Sequence, residues 1–90
     1  MNYLKFDLGK AAEGKTVKVT LSGSMANIRL MNKSNMYNYE HGHDYTSIDE
    51  LAQKVLTEIR IPENDHWFVV VDLKGIRGKD GRIDASVRVD

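Results

Sequence analysis

Apolar and polar residues alternate with a period of two along most of this chain, and no other feature restricts its fold so strongly. Leu4, Phe6 and Leu8 alternate with Tyr3, Lys5 and Asp7, and Val17, Val19 and Leu21 alternate with Thr16, Lys18 and Thr20. Ala26, Ile28 and Leu30 share one side of a third segment, with Asn27, Arg29 and Met31 on the other. Ile83, Ala85, Val87 and Val89 repeat the pattern against Arg82, Asp84, Ser86 and Arg88. Successive side chains of a strand point to opposite faces, so each segment predicts a strand with one core-facing and one wet side. Trp67-Phe68-Val69-Val70-Val71 is apolar throughout, which predicts a strand covered on both faces. Gly9 and Gly14 bracket one predicted turn and Ser22-Gly23-Ser24 another, so the first three strands read as a meander. Gly75, Gly78 and Asp80-Gly81 predict a loop or a long hairpin connection.

The middle of the chain departs from this rhythm. Ser47-Ile48-Asp49-Glu50 has the spacing of a capping box, in which a hydroxyl and a carboxylate each satisfy a free amide at a helix start. Ile48, Leu51, Ala52 and Val55 follow at helical spacing, predicting a short helix near residues 48–54. Val55, Thr57, Ile59 and Ile61 then return to period two as far as Pro62, predicting a strand. The fold expected is all-β: a small antiparallel β-sandwich of about six or seven strands with that one helix. It forms a single domain over residues 1–90, since 90 residues are too few to split into two cores.

Composition bears on partners and compartment. With 41% hydrophobic and 29% charged residues, the chain has enough apolar surface to fold. Thirteen basic and thirteen acidic residues cancel, which argues against nucleic acid or anionic lipid as partners. The charges are unevenly placed, however. Lys74, Arg77, Lys79, Arg82 and Arg88 gather late in the chain, and Glu40, Asp44, Asp49 and Glu50 in the middle. No cysteine is present, so disulfides, thiolate zinc sites and thiol nucleophiles are excluded. The first residues lack the apolar run of a secretory signal, and no stretch approaches a membrane span, so a cytoplasmic location is expected.

Candidate chemistry is concentrated in three places. Tyr37, Tyr39 and Tyr45, interleaved with Asn35 and Asn38, combine flat apolar faces with directed amides, the mixture that lines sites for sugars, nucleotides or peptides. The competing expectation is a packed loop whose tyrosines cap one end of the sandwich. His41-Gly42-His43-Asp44 offers two imidazoles and a carboxylate as metal ligands, with His66 as a fourth, although the spacing matches no established zinc pattern. A solvated polar turn explains those residues as well. Asp65-His66-Trp67 places a titratable ring beside a large aromatic; His66 suits acid, base or ligand roles, and Trp67 suits a core anchor. The basic residues around Gly75–Gly81 have no Walker pattern and no following helix, and read as an exposed charged loop. No serine sits in a nucleophile signature. The carboxylates Asp7, Glu13, Glu58 and Asp72 fall on different segments with no pair suited to acid–base work.

Two ordered sets of residues carry a family resemblance. The first is Val17-Lys18-Val19-Thr20-Leu21-Ser22-Gly23, Ala26-Asn27-Ile28-Arg29-Leu30-Met31 and Ser34-Asn35-Met36-Tyr37-Asn38-Tyr39, with Gly42 behind. The second is Ile59-Arg60-Ile61-Pro62, His66-Trp67-Phe68-Val69-Val70-Val71-Asp72-Leu73 and Ala85-Ser86-Val87-Arg88-Val89. In that order they resemble the bacterial family called domain of unknown function 1883, over nearly the whole chain. The resemblance implies a small β-rich domain, alone or beside Toll/interleukin-1-receptor-type domains, and brings no catalytic residues with it. Asp65 stands where the family usually has a glycine before the His-Trp pair, and Ser47–Lys54 replaces a Gly-rich link. The order of segments is also similar, by pattern only, to pre-peptidase-type β-sandwich modules.

These observations favour a non-enzymatic binding or interaction module, sensory or accessory, with no cofactor and with an unidentified ligand or protein partner. The ligand-binding residues expected are Tyr37, Asn38, Tyr39, Tyr45, His66 and Trp67. Two alternatives stay open: a structural domain that forms homo-oligomers through a strand edge such as Arg82–Val89, and a metal-dependent hydrolase using His41 and His43.

Overall fold

The structure, a computed structural model, describes residues 3–23, 25–52, 55–76 and 83–90. Seven strands and one helix follow one another in the described residues: β1 (Tyr3–Ala11), β2 (Thr16–Gly23), β3 (Ala26–Asn32), α1 (Lys33–Glu40), β4 (Ile48–Ala52), β5 (Leu56–Arg60), β6 (Asp65–Asp72) and β7 (Ile83–Val89). Two antiparallel sheets face each other. Sheet A has the order β1-β6-β3-β4 and sheet B the order β5-β2-β7. The all-β sandwich expected from the alternation is therefore present.

Its interior follows directly from the pattern. Val17, Val19 and Leu21 from sheet B meet Ala26, Ile28, Leu30, Trp67, Val69 and Val71 from sheet A in one buried cluster. The outer face of sheet B is wet: Thr20, Ser86 and Arg88 are exposed and Lys18 is only half-buried. The outer face of sheet A is covered over part of its area. There α1 closes a second cluster of Met31, Met36, Tyr39, Phe68 and Val70. Strand β6 therefore has apolar side chains on both sides, which accounts for its unbroken apolar run.

Several sequence expectations need correction. The helix lies at Lys33–Glu40, and Ile48–Ala52 is strand β4, paired with β3 from Ala26↔Ala52 to Leu30↔Ile48. The Ser47 hydroxyl donates to the Asp49 carboxylate instead of capping a helix. Asp49 in turn takes a hydrogen bond from Arg29 of β3 at 3.0 Å, so cross-strand pairing prevails over the local capping pattern. Helix α1 starts where the Asn32 side chain accepts from the Asn35 amide at 3.1 Å, the usual role of an N-cap. It ends at Gly42, whose φ of 73° is the left-handed conformation that terminates helices. Its buried residues are Met36 and Tyr39, three apart, so the stretch read as a loop is an amphipathic turn pair docked on a sheet.

The first three strands do not form a meander. β1 and β3 both flank β6 in sheet A, whereas β2 sits at the centre of sheet B. Gly9 is not a turn residue: with φ 68° it occupies a bulge in β1, where the register against β6 shifts between Asp7 and Gly9. Strands β6 and β7 belong to different sheets, so the connection after Gly75 is not a hairpin. Its residues 77–82 lie outside the described ones.

Candidate functional site

Strand β6 ends in a carboxylate. Asp72 is 1% exposed, and a charge that deep requires several donors. Arg29 supplies Nε at 2.8 Å and Nη2 at 3.3 Å, Asn27 supplies its amide at 2.8 Å, and the Tyr39 hydroxyl donates at 2.7 Å. The Lys74 amide adds a fifth hydrogen bond at 3.2 Å. Burial alone pushes the Asp72 carboxyl up, but the donors, led by Arg29, outweigh it and hold the group at about 2. Burial, and then the bond to Asp72, push the Tyr39 phenol well above its ordinary range. The Asp72 bond raises Arg29 in turn. This network joins α1 to sheet A, and its groups are occupied with one another.

The predicted tyrosines separate into two sets. Tyr39 packs edge-on against Tyr3 and Tyr45, with ring centroids 5.2 and 5.0 Å apart. The Lys74 ammonium lies 4.2 Å above the Tyr39 ring, a cation–π contact made inside the molecule. Tyr37 is on the other side of α1, 56% exposed, and stacks on His41 at 4.0 Å. Asn38 is half-buried, and its carbonyl accepts from the His41 and His43 amides to close the helix. The Lys74 member of the basic group is thus placed on the tyrosines; Arg77, Lys79 and Arg82 lie outside the described residues.

The histidines are also dispersed. His41 and His43 have ring centroids 6.3 Å apart beside Tyr37. His66, on β6, stacks on Phe68 at 4.9 Å and donates from Nε2 to Asp7 at 2.7 Å. Among the described residues no group of three His, Cys, Asp or Glu side chains is placed to hold a metal ion. The bulge at Gly9 positions Asp7, whose carboxylate accepts from the Gly9 amide at 2.8 Å. That bond, and then the one from His66, holds Asp7 below the usual carboxylate range. Beside His66 runs an open groove of about 490 Å³, lined by Lys10, Ala11, Ala12, Asn64, Asp65 and His66 and by none of the predicted tyrosines. Trp67 points the opposite way: it is 5% exposed in the sandwich core, with its indole N–H on the Glu63 carbonyl at 2.9 Å.

A different surface stands out by exposure. Ile48 (38%), Leu51 (49%), Val55 (69%) and Leu56 (48%) are four of the five large apolar side chains exposed among the described residues. They lie on or between β4 and β5, the edge strands of the two sheets on one side of the sandwich. By register they lie on different faces: Leu51, opposite Asn27, on the outer face of sheet A, Leu56, opposite Thr20, on the outer face of sheet B, and Ile48, opposite Leu30, on the core-facing side. At the Ile48 end a 230 Å³ cavity opens, with Leu30, Met31 and Trp67 among its lining residues and Pro62 and Glu63 beside them. Sequence spacing does not reveal this surface, because Ile48, Leu51 and Val55 stand at helical spacing.

Compared with protein families, residues 1–89 match the model of a domain of unknown function, DUF1883. Neither the curated proteins nor the solved structures give a match.

Proposed function

The chain belongs to the DUF1883 family, and on that footing we propose that it is a non-enzymatic interaction module that holds a segment of another protein along its β4–β5 side. One observation carries this reading: four of the five exposed large apolar side chains fall on that side, where two strand edges meet. No other side of the sandwich carries more than one such side chain among the described residues. The polar chemistry elsewhere supports the same reading. Asp72, Arg29 and Tyr39 are bound to one another, and every buried side-chain N or O atom among the described residues has a partner. Groups spent in this way hold a fold together and are not poised for turnover.

The test compares the wild-type chain with Leu51→Thr/Val55→Thr/Leu56→Thr as immobilised baits in a lysate of the source cells. Threonine keeps the strand preference at these exposed positions, so melting should change by less than about 0.5 kcal/mol per site. The expected result is a discrete partner held by the wild type and lost from the variant. Equal capture by both baits would remove the β4–β5 side from consideration.

A further inference from the structure

Strand β4 has one partner and one free edge. Among the described residues it pairs only with β3, at the end of sheet A, so its other row of backbone groups is open there to an added strand. Its five residues are Ile48, Asp49, Glu50, Leu51 and Ala52. The register places Ile48, Glu50 and Ala52 on the core-facing side, opposite Leu30, Ile28 and Ala26. A carboxylate at the centre of that row is unexpected, because Ile28 opposite it is fully buried while Glu50 is exposed. Asp49 is satisfied by Arg29 and Ser47. Glu50 has no such partner among the described residues.

This placement decides the occupant. Two copies pairing antiparallel about the middle of β4 would set Glu50 against Glu50, and like charges directly opposite each other destabilise a sheet. A single extended segment avoids that opposition of charges, and main-chain hydrogen bonds supply much of its affinity and pockets its specificity. The cavity at Ile48 is such a pocket, where Ile48 and Pro62 offer apolar surface and Asn32, Asn35, Thr46, Ser47 and Glu63 a polar rim.

We propose, on the basis of the interaction reading above, that β4 takes up an extended segment of another protein as a fifth strand of sheet A. The segment carries a lysine or arginine opposite Glu50, with apolar residues two positions to either side. One of those apolar residues enters the cavity beside Ile48. The cation answers Glu50, and a flanking apolar residue covers the exposed Ile48.

The experiment uses two synthetic peptides, Thr-Val-Thr-Lys-Thr-Val-Thr and the same peptide with glutamate at its centre. Each is titrated against the ¹⁵N-labelled chain and followed by amide shifts. The lysine peptide is expected to shift and protect amides of β4 and to bind at least fivefold more tightly than the glutamate peptide. Glu50→Lys is expected to reverse that order. Equal binding of the two peptides, no reversal in Glu50→Lys, or shifts away from β4 would overturn the proposal. A wild-type chain that dimerises in light scattering, with β4 amides protected, would overturn it in favour of a second copy. Failure of this charge preference alongside partner capture that depends on Leu51, Val55 and Leu56 would reject the strand and leave the interaction reading standing. Failure of both experiments would reject both.

Discussion

Replacing Asp72 by asparagine tests the network that ties α1 to the sheet. The substitution keeps size and shape and removes the charge that Arg29, Asn27, Tyr39 and the Lys74 amide surround. The carboxyl sits at about 2 in the folded protein against an ordinary value of 3.8. That difference corresponds to about 2.5 kcal/mol, at about 1.4 kcal/mol for each unit. Because the folded value lies below the unfolded one, the stabilisation is complete above about pH 4 and fades as pH falls toward 2. At pH 2 less than about 0.5 kcal/mol of it remains. Asp72→Asn is therefore expected to lose about 2–3 kcal/mol at pH 6, short of the full cost of a broken buried pair because Arg29 keeps Asp49. Urea unfolding of both proteins from pH 6 to pH 2 reads the effect. The gap between them should narrow across the last two pH units. Asp7, Glu40 and Asp90 are also held below their ordinary values, but they are common to both chains and cancel in the difference. A gap that stays constant to pH 2 would refute the claim that Asp72 acts through its charge.

Two further outcomes test how α1 is held. Tyr39→Phe keeps the ring contacts with Tyr3 and Tyr45 and deletes one donor to a buried carboxylate, which should cost about 1.5–3 kcal/mol in thermal melts. The same variant should lack the phenol that titrates last in a spectrophotometric tyrosine titration, since burial pushes that group highest. Asn32→Ala removes the N-cap and the bond to Asp65 and should cost about 1–2 kcal/mol. Faster hydrogen exchange is expected in α1, with the sheet amides little changed.

Most of the strands are readable from the sequence, because a period of two is a direct statement about which face of a sheet each residue occupies. The alternation at Val17–Leu21, Ala26–Leu30 and Ile83–Val89 marks their core-facing sides correctly, and the apolar run at Trp67–Val71 marks the strand buried on both faces. Helix and edge strand were exchanged for a physical reason. Ile48, Leu51 and Val55 have helical spacing yet are all exposed, and the open edge of β3 claims this segment as a partner. Helix α1 is rich in asparagine, a weak helix former, and depends on Asn32 and on docking Met36 and Tyr39. The Asn32 cap followed by those two residues was the available signal. The polar network was illegible because its members are far apart: Asp72 lies 43 residues from Arg29 and 33 from Tyr39, and Asp7 lies 59 from His66. Only the pairing of strands brings them together. A carboxylate ending an otherwise apolar strand was the one hint in the sequence.

The order in which strands pair has a consequence for how the chain is made. Among neighbours in sequence, only β3 and β4 lie side by side. Among the described residues strand β1 has no partner but β6, and β3 needs β6 on its second side. A chain emerging from the ribosome therefore carries its first strand exposed until residue 72 is available to meet Tyr3. Apart from β3 and β4, no strand finds its partner next in sequence, and loop closure over such separations is slow. Sheet A should therefore wait for β6 to be completed, leaving nascent chains that stop before it as candidates for chaperone capture.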